Sequence, residues 1–295
     1  MILAMGAYHM AEACCPASCG ELLQGWIFGG EKLISCPINW YSRVSVTLGK
    51  PGQNERPRMR QMLRQVLAHF GEPPLLAEKI CIEFESTIPV AKGLASSTAD
   101  IAATATAAAR LLGQSLNDET LARLCVALEP TDSTIFKDLT LFDHQTAQTR
   151  RPFSWLPDID IVLLESSQTL ITAEFHQRNR HSFLLKQAPN LAKAMQQFCL
   201  ANERRCCYRL GEATTLSAIA SEAILPKPQF HQLLDIVEHS GIYGLNVAHS
   251  GSVIGLLFNR HQHDLDRLLH ILHHKSLIQY YPQTHLVKMV TGGVR

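Results

Sequence analysis

At 295 residues the chain is longer than one typical compact core and suits two domains of roughly 100–200 residues each. A hydrophobic share of 46%, a charged share of 18% and a formal net charge of +1 give an ordinary globular balance with no global positive field, which argues against nucleic acid or a membrane surface as partner and for a small, local ligand. No run approaches the ~18–20 consecutive apolar residues of a membrane span, and the mildly apolar Met1–Met10 lacks a basic flank and a long apolar stretch, so a cytoplasmic protein without a secretory signal is expected.

The nine cysteines are odd in number, several sit in apolar patterns, and no CxxC pair occurs, so reduced thiols are expected rather than disulfides or structural zinc. Val44–Leu48 and Ile80–Phe84 alternate at period two, as half-buried strands do. Between them Met59, Met62, Leu63, Val66, Leu67 and Phe70 recur at helical spacing, with Gly71 as a stop. An alanine-rich helix is predicted over Thr98–Leu112, closed by Gly113. Asn117 then caps a helix carrying Leu121, Leu124, Cys125 and Leu128. Composition shifts near 150, through Gln148–Pro152 and Pro157, before the apolar run Ile159–Leu164. The expected domains are therefore 1–152 and 153–295. In the second half, helices are predicted near 183–200 (interrupted by Pro189), 203–223, 228–239 and 264–274. Two strands are expected around Gly244–Gly255 and one at His285–Val290. Without a regular βαβ rhythm, the class is α+β rather than doubly wound.

The chemistry concentrates in Pro89, Val90, Ala91, Lys92, Gly93, Leu94, Ala95, Ser96, Ser97 and Thr98, which follow a strand and open a helix. A helix N-terminus offers unpaired N–H groups and the positive end of its dipole to a phosphate. Gly93 allows close backbone approach, and Ser96, Ser97 and Thr98 add hydroxyls. The segment is neither GxxxxGK[ST] nor GxGxxG, and an ordinary serine N-cap before a core helix is the competing reading.

Pro89-x-x-x-Gly93-Leu94-Ala95-Ser96-Ser97 resembles the second motif of the GHMP kinases, which wraps the phosphates of ATP. Cys15–Gly25 (CPASCGELLQG) resembles their first motif and Gly244–Gly255 (GLNVAHSGSVIG) their third, so the resemblance spans nearly the whole chain. It implies a two-domain α+β fold: an N-terminal domain like ribosomal protein S5 domain 2, a C-terminal ferredoxin-like domain, and an ATP site between them. The strings PASCGEL, LEPTDST and YGLNVAHSGSV are similar to the branch of the family that phosphorylates L-threonine for the corrinoid nucleotide loop. The expected cofactors are ATP and Mg²⁺.

On that resemblance Asp132 is the catalytic carboxylate, accepting the acceptor hydroxyl's proton; the plainer reading is a turn or helix cap after Pro130. Ser97 and Glu129 are the expected Mg²⁺ ligands, with Glu119 and Glu165 also open. A threonine site needs both signs of charge, and Ser18, Glu21, Asn246, His249 and Ser250 are its candidates. The first motif lacks the family's usual basic residue, and the third is poor in glycine. The histidines at 261, 263, 270, 273 and 274 read as a solvated face, and Trp26, Trp40 and Trp155 as packing residues. Two rivals remain open: another small alcohol such as homoserine, and a non-catalytic ligand-binding regulator.

Overall fold

The computed structural model describes residues 9–167, 180–275 and 277–295; of the apolar start of the chain, residues 1–8 lie outside the described part. Strands β1 (Met10–Ile27) and β2 (Gly30–Leu48) form a long antiparallel hairpin. Phe28 and Gly29 close it with φ of 49° and 77°, the positive values that match a tight turn to the strand twist. β3 (Ile80–Ser86) pairs with the far half of β2, and β4 (Leu139–Phe142) with its near half through Leu33. β5 (Arg150–Phe153), β6 (Asp160–Glu165), β7 (Gly244–Val247), β8 (Ile254–Phe258) and β9 (Gln283–Lys288) complete one sheet. Its order is β5-β4-β2-β1-β7-β8-β6-β9, with β3 on β2. The pairings between these strands are antiparallel, as the α+β reading requires. The expected boundary at 152 falls inside β5, and the two halves of the sheet join where Glu21 of β1 pairs with Val247 of β7.

The helices are α1 (Pro57–His69), α2 (Ser96–Leu111), α3 (Asp118–Val126), α4 (His181–Arg204), α5 (Cys207–Ser221), α6 (Phe230–Ser240) and α7 (Leu265–His274). Asn117 caps α3 as expected, its Oδ1 accepting from Thr120 N at 2.8 Å. α2 is buried nearly all round, against β1, β2 and α1. Its alanines let the helix axis lie close to the sheet. β6 is buried on both faces: Ile161 and Leu163 enter a core shared by both halves of the chain, and Val162 and Leu164 a second core built from the C-terminal half. That is why its sequence is a continuous apolar run instead of an alternation.

Two expectations are corrected. Pro189 does not interrupt its helix, because α4 runs unbroken through it. The lost backbone hydrogen bond is outweighed by burial of Leu184, Leu191, Met195 and Phe198 along one face, at about 1.5–3 kcal/mol for each large side chain. The alanine-rich helix begins at Ser96, two residues earlier than predicted. In the described residues no helix is long and apolar enough to cross a membrane.

Candidate active site

The loop before α2 is shaped for an anion. Ala91, Gly93 and Ala95 have φ of 61°, 82° and 59°, and the intervening Lys92 and Leu94 do not share that left-handed backbone. Such alternation turns successive N–H groups toward one concavity. A non-glycine residue held there costs of order 1–3 kcal/mol, so Ala91 and Ala95 store strain at this loop. The N-cap of α2 is Ala95, with no side-chain cap, which removes the serine N-cap reading. The first-turn N–H groups of α2 thus remain available to a ligand.

The three motifs meet through their backbones. Ser18 N donates to Leu94 O at 3.1 Å and Ser252 N to Lys92 O at 3.1 Å. A Cβ on Gly20 would lie 2.6 Å from the Val247 carbonyl, one on Gly93 2.7 Å from Gly251 Cα, and one on Gly251 2.2 Å from Lys92 O. Glycine is required at all three because backbone approaches backbone. Around this junction opens a cleft lined by Ala91, the run from Gly93 to Thr98, and Glu21, Arg58, Glu129, Asp132, His144, His249 and Ser250.

Asp132 stands at the floor of the cleft. Thr98 Oγ1 donates to its Oδ2 at 3.0 Å and accepts from its backbone N at 3.3 Å, which ties it to the first turn of α2. Reciprocal bonds between Ser35 and Ser133, at 2.9 and 3.0 Å, fix the following residue to β2. Glu21, 3% exposed, is the neighbour of Asp132. Burial raises both carboxyls above the ordinary range, and the Asp132 charge drives Glu21 well above it. The Thr98 hydroxyl and a proton held on Glu21 favour ionised Asp132. Glu21 is the more strongly raised of the two and so the first to take up a proton. Between the ordinary carboxylate range and the raised values, the folded chain binds more protons than the unfolded one. Stability from this pair thus falls as pH rises through that window, while activity that needs ionised Asp132 rises. Glu21→Leu, which removes the donor to Asp132, is expected to move the acidic limb of the pH–rate profile to higher pH, and Glu21→Gln, which keeps an amide donor, to leave it in place. An unmoved limb in the leucine variant would uncouple the two carboxyls.

Glu129 lines the cleft and is ion-paired with Arg58 at the start of α1. His249, at the edge of the cleft, reaches away from it into an adjoining cavity: its Nδ1 lies 2.8 Å from Gln24 Oε1 and its Nε2 3.5 Å from Glu31 Oε1. Glu31 is bound by Arg180 Nη2 at 2.9 Å. Burial raises Glu31 and lowers Arg180, each opposed by the other's charge. His144 packs edge-on against His249, 5.0 Å between ring centroids. Glu31, His144 and His249 bring metal-ligating atoms within 4.8 Å of one another. The Arg180 guanidinium bonded there puts a positive charge where a cation would sit.

Of the expected site residues, the cleft gathers Ala91, Gly93, Leu94, Ala95, Ser96, Ser97 and Thr98 with Glu21, Glu129, Asp132, His249 and Ser250. Pro89 and Val90 lie at the loop's approach, and the Lys92 side chain turns toward Glu165. Ser18 and Asn246 are fully buried: the Ser18 hydroxyl donates to Gly20 O at 2.6 Å, and Asn246 Nδ2 donates to Cys19 O. Sequence reasoning missed Arg58 and His144 on the cleft and the Glu31–Arg180 pair beside it. Arg58 had a signal, being a cation in the first turn of a helix that has no acid there, against the dipole. The others had none.

Residues 58–137 match the family model described as GHMP kinases N terminal domain. Over 288 residues the chain is 54% identical to an L-threonine kinase of Citrobacter freundii, covering 97% of this chain and 99% of that relative. The chain belongs to the GHMP kinases. An L-threonine kinase of Salmonella typhimurium is 53% identical to this GHMP kinase over 290 residues, 97% of this chain and 96% of that relative. Among solved structures, mevalonate diphosphate decarboxylase from Staphylococcus aureus superposes with a TM-score of 0.73 over 97% of both chains. Its identity is 16%, so that likeness speaks for the GHMP fold alone.

Proposed function

We propose that this protein transfers the γ-phosphoryl group of ATP to the hydroxyl of L-threonine, giving ADP and L-threonine O-3-phosphate. The observation that carries the reading is identity of 54% over nearly the full length with an L-threonine kinase, in a chain that keeps the phosphate loop and Asp132 on one cleft. The ATP phosphates lie in the concavity at the start of α2. Asp132 accepts the hydroxyl proton as the phosphoryl group leaves ADP, and Thr98 and protonated Glu21 hold that carboxylate in place. Most of the rate enhancement comes from alignment and charge stabilisation. Ser97 and Glu129 present oxygen donors on the cleft, the chemistry Mg²⁺ takes, and would hold it once Glu129 exchanged its pairing with Arg58; the ion, when bound, neutralises phosphate charge. The product's place in the corrinoid nucleotide loop rests on the family resemblance.

Beside the cleft, and joined to it through His249, lies a pair with both signs of charge that suits a zwitterion: Arg180 takes the threonine carboxylate and Glu31 the ammonium. Arg180→Met is expected to raise the KM for threonine by about 10- to 100-fold, the value of a charged hydrogen bond, with nucleotide binding retained. Steady-state kinetics in both substrates check this, and an unchanged threonine KM would move the carboxylate site elsewhere.

The activity itself is tested by ADP release with Mg-ATP and L-threonine, L-serine, L-homoserine or no acceptor, with the product's mass measured. Threonine is expected to be preferred and phosphothreonine to form. A homoserine preference would keep the ATP site and discard the acceptor; a pocket separates such homologues by only about 1–3 kcal/mol. No release with any acceptor would favour the regulator reading.

A further inference from the structure

Lys92 is the cation of the phosphate loop, yet its ammonium is used elsewhere. Its Nζ donates to Ser166 O at 2.7 Å and lies 3.3 Å from Glu165 Oε1. Glu165 ends β6, in the C-terminal half of the chain, and its side chain is 8% exposed. Its other oxygen, Oε2, lies 3.4 Å from His285 Nε2 on β9. His285 in turn packs edge-on against Trp40 of β2, 5.0 Å between ring centroids. The backbone of Lys92 is held as firmly: its carbonyl accepts from Ser252 N at 3.1 Å, in van der Waals contact with Gly251. Lys92 also stands between the left-handed residues Ala91 and Gly93. A side chain anchored at that point holds the strained backbone in the conformation that aims its N–H groups.

We propose that Glu165 is a positioning residue for nucleotide binding: through Lys92 it ties the phosphate loop to the end of β6 and keeps the loop in its anion-binding shape, without touching the nucleotide. This rests on the ATP-binding reading above and adds a residue outside the cleft. The rival role for Lys92, direct contact with the phosphates, makes the opposite prediction for Glu165. If Glu165 merely sequestered Lys92, removing its charge would release the ammonium toward the phosphates and tighten binding. If Glu165 positions the loop, removing its charge loosens binding. A displacement of about 1 Å in an aligned site can cost as much as 10²-fold, so a loosened anchor is expected to be visible.

The test is equilibrium binding of Mg-ATP to the full chain, followed with a fluorescent ATP analogue, together with the KM for threonine at saturating ATP. Glu165→Gln is expected to weaken nucleotide binding by about tenfold or more and to leave the threonine KM within a factor of about two. Binding equal to or tighter than that of the unmodified protein would overturn the proposal. Should Glu165→Gln fail to fold, the exchange Lys92→Glu with Glu165→Lys decides. Recovery of binding over Lys92→Glu alone supports the tether, because the ion pair is remade with its charges reversed. No recovery overturns it, because a carboxylate in the loop then repels phosphate directly. An unmodified protein that binds no nucleotide would instead sink the ATP reading itself, a result distinct from either outcome for Glu165.

Discussion

Asp132→Asn is expected to lower turnover by about 10²- to 10⁴-fold while nucleotide binding persists, the range spanned by loss of a positioned general base. The amide keeps the shape of the carboxylate and its bond with Thr98, so the first turn of α2 and the phosphate concavity are undisturbed. What it lacks is the capacity to accept a proton. The same substitution relieves Glu21 of the neighbouring charge that raises it, so the variant is expected to be no less stable than the unmodified protein, and more stable toward high pH. Single-turnover phosphothreonine formation and nucleotide binding, measured side by side, check both halves. Near-normal turnover would remove the base assignment and leave alignment and electrostatics as the whole of catalysis.

Gly93→Ala is expected to abolish measurable nucleotide binding and to lower the thermal midpoint. Two effects add. The φ of 82° costs an L-residue about 1–2 kcal/mol. The new methyl would also lie 2.7 Å from both Ala248 Cβ and Gly251 Cα, so the second and third motifs must part. Gly113→Ala is the control. Its φ of 68° carries a similar conformational cost, but nothing lies within 4 Å of the added methyl. That variant is expected to lose stability alone and to bind nucleotide normally. Equal binding losses in the two would mean that backbone strain, not contact between the motifs, governs the site.

The readings that held share a physical character. The strand at Ile80, the helix from Met59, the Asn117 cap and the Gly93 loop all depend on interactions within a few residues, which periodicity and turn chemistry expose. β1 escaped notice because it is buried on both faces over much of its length and is kinked at Gly20 and Gly25 with shifts of register. Alternation is absent where both faces are buried. Pro189 misled for the reverse reason: its local penalty is real, and the helix persists because distant side chains cover it.

The sequence by itself determined the α+β class, the family to which the chain belongs and the places of its short strands, helices and caps, because each is a local pattern of residue types. The tertiary structure alone decided that Glu21 and Asp132 titrate together, since burial raises both and their proximity couples them. It also decided that Lys92 faces Glu165, that Glu129 faces Arg58 and that Arg180 faces Glu31, pairs separated by 73, 71 and 149 positions. A charged residue in the sequence states its sign and its reach. Its partner is chosen by the sheet register and helix packing that bring the two together, and these belong to the whole fold.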